Sequence, residues 1–284
     1  MKIELKTLSF TCLAMLAFAA NSIIARQALL ASEIGPISFT VIRLFAGAIV
    51  LALLVGLRKS WHSGSWIGAI YLLIYAGFFS LAYVSLPAGI GALILFTAVQ
   101  ITMIGSGLIH GERLTFIQGL GALLAFAGLV FLLNPGTDAP HLFGSLLMVC
   151  SGIGWGLYSL KGRGSQNPTA ETSGNFIRAS VLAFCVLGAI LLVRPESPPQ
   201  TTGILLAILS GAITSGMGYA IWYTVLPSLS AVRAGLAQLS VPAIAALGGI
   251  ILLAEAASPR LIISSLVILV GVAIATLSKS RKIN

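Results

Sequence analysis

Ten apolar stretches follow one another along this chain, at roughly 8–25, 36–57, 66–85, 88–109, 116–133, 142–160, 176–193, 203–225, 231–253 and 260–278. Each approaches the length needed to cross about 30 Å of hydrocarbon as a helix. A peptide group facing lipid finds no water, so a spanning stretch must close its own hydrogen bonds, as an α-helix does. Of 284 residues, 58% are hydrophobic and only 8% are charged, with a mean hydropathy of +1.05. Soluble domains carry about a quarter charged residues. The expected fold class is therefore an all-α polytopic membrane protein with ten transmembrane helices.

The second half repeats the first. One offset carries Leu86 onto Leu229, Leu93 onto Leu236, Glu112 onto Glu255 and Gly128 onto Gly271. A shorter offset carries Arg43, in Ser38-Phe39-Thr40-Val41-Ile42-Arg43, onto Arg178, in Ser173-Gly174-Asn175-Phe176-Ile177-Arg178. The difference implies an insertion near Pro195 to Thr201. A repeated unit with an odd number of spans must lie upside down relative to its copy, so two inverted five-helix repeats are expected. Their bounds are 1–133 and 142–284, joined by a turn-rich hinge at 134–141.

Local punctuation supports these divisions. Thr115 with Gln118 reads as a capping box. Gly35-Pro36 and Ser258-Pro259 read as helix starts. Eleven Lys and Arg residues in loops and tails fall on one side if the spans alternate, and Arg26, Arg194 and Arg260 fall on the other. This places both termini in the cytoplasm of a multi-pass protein of the cell membrane, an inner membrane. Met1 to Asn21 also has the look of a secretory signal, but apolar character continues past it, and an uncleaved first span is expected. Cys12, Cys150 and Cys185 lie in apolar runs without metal-ligand spacing and are expected to pack as small hydrophobes.

The chain resembles the drug/metabolite transporter superfamily, in its ten-span EamA-type branch. The likeness rests on Gly111-Glu112-Arg113-Leu114-Thr115 with Gly119 and Gly128, on Trp155-Gly156-Leu157-Tyr158, and on Pro242, Glu255, Gly271 and Arg43. It departs at Val99, where the family often has proline, and in the first span, which lacks the common tryptophan and keeps Asn21. The resemblance implies a cavity lined by spans one, three, four, six, eight and nine, and outward movement of a small polar or amphipathic metabolite such as an amino acid.

The residues offer candidates for that cavity. Tyr71, Tyr75, Phe78 and Phe79 share one side of span three, as Tyr219, Trp222 and Tyr223 do on span eight. Either they wall a pocket for an organic solute or they pack. Trp155 and Tyr158 join them from span six. Asn21, Thr97, Gln100, Gln238 and Ser240 are polar within apolar runs and need partners. Arg43 and Arg178 are buried by position; each either attracts an anionic group or snorkels to loop carbonyls and headgroups. Glu112 and Glu255 end spans four and nine, where turn formation is the expected role. Gly121/Ala125, Gly152/Gly156, Gly211/Ser215 and Gly271/Ala275 have the spacing of close helix packing.

No acidic residue falls near the middle of a span, which weighs against proton/cation antiport and favours a facilitator or exchanger. No Walker-type loop, metal cluster or paired catalytic groups occur in the sequence, so no enzyme, cofactor or metal is expected. The expected partners are the lipid bilayer and a small-molecule substrate, with a homodimer allowed and nucleic acid excluded. A drug or amphiphile exporter and a non-transporting scaffold or sensor are the competing functions.

Overall fold

The structure is a computed structural model that describes residues 5–109, 115–134, 139–162, 165–229 and 237–277. Among the described residues it is helical, without strands. The helices are α1 (Leu5–Leu30), α2 (Pro36–Val55), short α3 (Leu57–His62), α4 (Trp66–Tyr83), α5 (Ala88–Ile109), α6 (Phe116–Leu133), α7 (Leu142–Gly162) and α8 (Pro168–Val193). They continue with α9 (Thr201–Leu209), a π-helical segment (Ser210–Met217), α10 (Gly218–Val225), α11 (Ser240–Leu253) and α12 (Pro259–Leu277). Eight helical units are long and apolar enough to cross a membrane, counting α9 to α10 as one unit, and two shorter apolar helices, α11 and α12, accompany them. Large apolar side chains such as Leu53, Ile109, Phe116, Leu192 and Ile251 face outward, as lipid-facing surfaces do. Cys12, Cys150 and Cys185 also face outward, as free thiols.

Helix boundaries depart from the expected spans where polar residues have partners. α1 runs to Leu30 instead of stopping near 25, so Arg26 is a buried helical residue and not part of an outer loop. α8 starts at Pro168, not near 176, because Asn167 caps Ala170 N and proline takes the first turn. Its early polar residues are also occupied. Ser173 Oγ donates to Ser60 Oγ at 2.7 Å and Asn175 Oδ1 accepts from Ser65 N at 2.7 Å. α2 ends at Val55 because Gly56 takes a φ of 92°, a conformation that glycine adopts cheaply. The expected cap at Thr115–Gln118 is a reciprocal capping box, and Ser258 caps Leu261 N at 3.2 Å.

Helices from the two stretches interleave. α2 packs on α8, α6 on α12, and α5 on α11. α1 packs on the α9–α10 unit as α7 packs on α4, and α1 meets α11 as α7 meets α5. The main contacts between 5–133 and 142–277 thus recur with the two stretches exchanged.

Close approach depends on missing side chains. A Cβ on Gly121 would lie 2.5 Å from Ala275 N, and one on Gly271 would lie 2.5 Å from Ala125 N. A Cβ on Gly211 would run into the Arg43 carbonyl. Lipid is as apolar as leucine, so such backbone contact is what holds spanning helices together.

Gly119 has open space where its Cβ would stand. Gly121→Ala is therefore expected to lose about 1–3 kcal/mol by overpacking, while Gly119→Ala is neutral or gains up to about 1 kcal/mol of helix propensity. Melting temperatures in detergent compare the pair, and equal losses would end the packing argument.

Candidate functional site

The interior centres on Arg43. Seven residues into α2, its side chain is only 1% exposed. Nε donates to Ser215 Oγ at 3.1 Å and Nη2 donates to Tyr75 Oη at 3.0 Å. The guanidinium also lies over two rings, 5.2 Å from the Tyr75 centroid and 4.7 Å from that of Phe79. Nη1 is buried without a hydrogen-bond partner. Aromatic faces offset part of the cost of a charge in a dry interior.

Asn21 extends this network to two further elements. Its Nδ2 donates to Tyr75 Oη at 3.3 Å. Its Oδ1 accepts from Ser210 Oγ at 2.6 Å and from Thr214 Oγ1 at 3.0 Å. Ser210, Thr214 and Ser215 all belong to the π-helical segment. The wider π turn changes which side chains share a face, and these segments recur at functional sites. Here it presents three hydroxyls to α1 and α2.

An aromatic cluster surrounds the network. Trp155 stands 4.9 Å from Tyr75 and 4.9 Å from Tyr219, centroid to centroid. Phe18 stands 5.6 Å from Tyr219 and 6.0 Å from Trp222. Each of α1 and α7 therefore sets an aromatic ring against the third spanning unit of the other stretch. A cavity of about 20 Å³ remains, lined by Phe18, Asn21, Tyr75, Phe79, Trp155 and Tyr219 among others. That is space for about one water molecule, so the site is closed.

Contacts seal both ends. At one, Arg26 Nε meets Glu255 Oε1 at 3.3 Å, the one ion pair among the described residues. Arg26 Nη1 also donates to the Tyr83 and Val84 carbonyls, each at 3.0 Å. Glu255 accepts from Ala88 N, with its oxygens at 3.0 and 2.9 Å. Together they bind the end of α1, the α4–α5 turn and the end of α11. On the same side, Glu196 accepts from Ile37 N at 2.8 Å and Ser38 N at 3.0 Å, placing a carboxylate at the α2 N-terminus. At the other end, Tyr158 donates to Thr172 at 3.3 Å beside Tyr223, Lys161, Glu171 and Asn175.

The expected site residues divide accordingly. Asn21, Tyr75, Phe79, Trp155 and Arg43 come together, and Trp222 adjoins them through Phe18. Tyr158 and Tyr223 line the small cleft at the second end, about 10 Å³ in volume. Thr97 and Ser240 donate to carbonyls of their own helices, at 2.7 Å each. Gln100 and Gln238 are half-buried and lie outside the cavity lining. Arg178, expected to be buried, is half-exposed and binds the Ser63, Gly174 and Trp61 carbonyls. It is a tie for the α3–α4 turn because α8 begins early and its first turns pack along that turn. Glu112 and its flanking motif lie outside the described residues.

Comparison with known proteins decides the family. The profile of the EamA-like transporter family matches residues 5–134 and again 142–277. The chain belongs to the EamA-like transporter family. An uncharacterized protein of Pseudomonas aeruginosa is 50% identical over 272 residues, covering 95% of this chain and 94% of that protein. An uncharacterized transporter of Archaeoglobus fulgidus is 27% identical across 81% of this chain and 82% of its own length. The Bacillus subtilis transporter YoaV is 22% identical across 88% and 90% respectively. One crystal structure shares the fold at a TM-score of 0.65 and 22% identity, covering 93% of this chain and 97% of that one. This EamA-like protein is a multi-pass membrane transporter.

Several site residues escaped sequence reading. Phe18, Ser210, Thr214 and Ser215 carried no signal beyond small or apolar character. Arg26 had one, since it stands a helical turn beyond Asn21 and Ser22 on the same helix face. Glu255→Gln keeps the side chain's size but leaves the Arg26 charge uncompensated between side chains that are each 10% exposed. The expected loss is about 3–5 kcal/mol. Adding Arg26→Gln recovers part of it, and a double-mutant cycle read by melting temperature measures the coupling. Strict additivity would mean that the pair is not coupled.

Proposed function

We propose that this EamA-like protein is a secondary transporter that exports small amphipathic metabolites, amino acids among them, by alternating access. The supporting observation is one closed central cavity, walled by rings from both stretches, with a different set of contacts sealing each end. In this reading ten spans form two inverted units, residues 1–133 and 142–284 hinged at 134–141, with both termini cytoplasmic. The reciprocal packing of the two stretches supports that arrangement. So does the separate family match to each stretch.

The geometry suggests how the cycle runs. Opening toward the first end separates Arg26 from Glu255 and frees the α5 N-terminus. Opening toward the second separates Tyr158 from Thr172. The Arg43–Tyr75–Asn21 network lies between these seals and ties α2 and α4 to α1 and the π segment. It stays as the fixed floor while the bundles rock around it. Solute binding energy that differs between the two open forms shifts their populations.

Purified protein in proteoliposomes, supplied with a panel of amino acids, organic acids and other small metabolites, tests this. Flux above empty vesicles is expected for at least one member. Tyr75→Phe removes the hydroxyl shared by Arg43 and Asn21, and losing about 1.4 kcal/mol of solute interaction lowers apparent affinity tenfold. Absence of flux for every member sinks the transport reading. Flux untouched by Tyr75→Phe sinks this site.

A further inference from the structure

We infer that the solute is an organic anion, a carboxylate on an apolar body with no ammonium group of its own. This rests on the central cavity being the solute site proposed above, and it narrows the substrate class to the organic acids, setting the amino acids of that reading aside.

The polar side chains lining the cavity are Asn21, Ser22, Tyr75 and Tyr219. Tyr75 Oη accepts from Arg43 Nη2 at 3.0 Å and from Asn21 Nδ2 at 3.3 Å. The Tyr75 hydroxyl also faces Tyr219. Tyr219 Oη, also in the lining, is buried without a hydrogen-bond partner of good geometry. A phenol can donate one hydrogen bond, so the pair offers a donor to whatever enters. Asn21 Oδ1 is the obvious acceptor, but Ser210 and Thr214 already occupy it.

Charge points the same way. Arg43 lies directly behind Tyr75 and Phe79, with Nη1 unsatisfied. Among the described residues it has no carboxylate partner. The described acidic residues, Glu33, Glu171, Glu196 and Glu255, all stand in loops or near helix ends. A buried cation with an unused donor and no counter-ion calls for an explanation. A carboxylate entering the cavity accepts a hydrogen bond from the tyrosine hydroxyls and offsets the guanidinium charge behind them. Charge-assisted bonds of this kind are about twice as strong as neutral ones. An ammonium group there meets Arg43 as a like charge. The ring faces of Phe18, Phe79 and Trp155 suit an apolar body.

An anion also fits outward movement. An interior-negative potential drives it from the cell without any protonatable carboxylate in the spans.

Two matched triads separate the possibilities: propionate, alanine and ethylamine, and 3-phenylpropionate, phenylalanine and phenethylamine. Within each triad the body is constant and the charge changes. Full-length protein in detergent is melted by tryptophan fluorescence against rising concentrations of each, since a ligand of the folded state raises the midpoint by mass action. The acid of at least one triad is expected to bind about tenfold or more tightly than its zwitterion and amine. Arg43→Gln is expected to abolish that preference, and Arg43→Lys to weaken binding while keeping the order. If Arg43→Gln does not fold, wild type and Arg43→Lys decide.

Equal or tighter binding of the zwitterion or amine overturns the inference, as does undiminished acid binding by Arg43→Gln. If none of the six binds, the flux panel decides. Carriage of another organic acid supports the inference, and carriage of a zwitterion, cation or neutral solute alone overturns it. Absence of all flux instead defeats the transport reading on which the inference rests.

Discussion

Backbone-to-backbone contact at glycine sets the geometry of this interior. Lipid gives spanning helices no hydrophobic reason to associate, so affinity must come from close packing and from polar groups with nowhere else to go. At Gly211 the π segment lies against the Arg43 carbonyl, and Gly47 lies against the Phe176 ring. That approach leaves no room for water between α2 and the π segment. It brings Ser215 Oγ within 3.1 Å of Arg43 Nε. The buried charge, the hydroxyls that hold it and the rings above it therefore all follow from a contact between residues with almost no side chain.

Two arginines at matched positions in the repeat show how local structure overrides sequence symmetry. Arg43 and Arg178 end similar Ser-x-x-x-Ile-Arg runs and start from the same intrinsic chemistry. α2 begins at Pro36, so Arg43 lies seven residues in and faces the π segment. α8 begins at Pro168, and the polar face of its first turns is committed to the α3–α4 turn. Arg178 sits on that face and holds loop carbonyls at Ser63 and Trp61. Duplication supplied two cations, and only one became part of the interior.

Much of this was legible in the sequence because it depends on neighbours along the chain. The capping box at Thr115, the proline starts, the small-residue spacings of Gly121 and Gly271, and the depth of Arg43 are local facts. The aromatic residues of α4, α7 and α10 were legible as a class. What was not legible depends on the third dimension. Ser210, Thr214 and Ser215 look like ordinary small residues of a spanning helix until a π turn gathers them on one side. Arg26 read as a loop residue because an arginine ends an apolar window, yet Glu255, far along the chain, lets the helix continue around it. Gln100 and Gln238 promised cavity contacts by polarity alone, and half-burial gives them other surroundings. Polarity in a span says that a partner is needed; it does not say where the partner is.

The closed cavity also limits how the protein can work. A space of about 20 Å³ holds no metabolite, so in the proposed cycle solute enters only after rings separate. Phe18, Tyr75, Trp155 and Tyr219 come from different helices and touch edge to face or at a tilt. Each such pair is worth about 0.5–1.5 kcal/mol beyond its buried area, which a bound solute replaces with contacts to its own body. The ion pair at Arg26 and Glu255 differs in kind. Solute does not touch it, and opening that end exposes both charges to water, which offsets the attraction lost between them. In the proposed cycle the rings couple closure to what is bound, and the ion pair sets which end opens more readily when the cavity is empty.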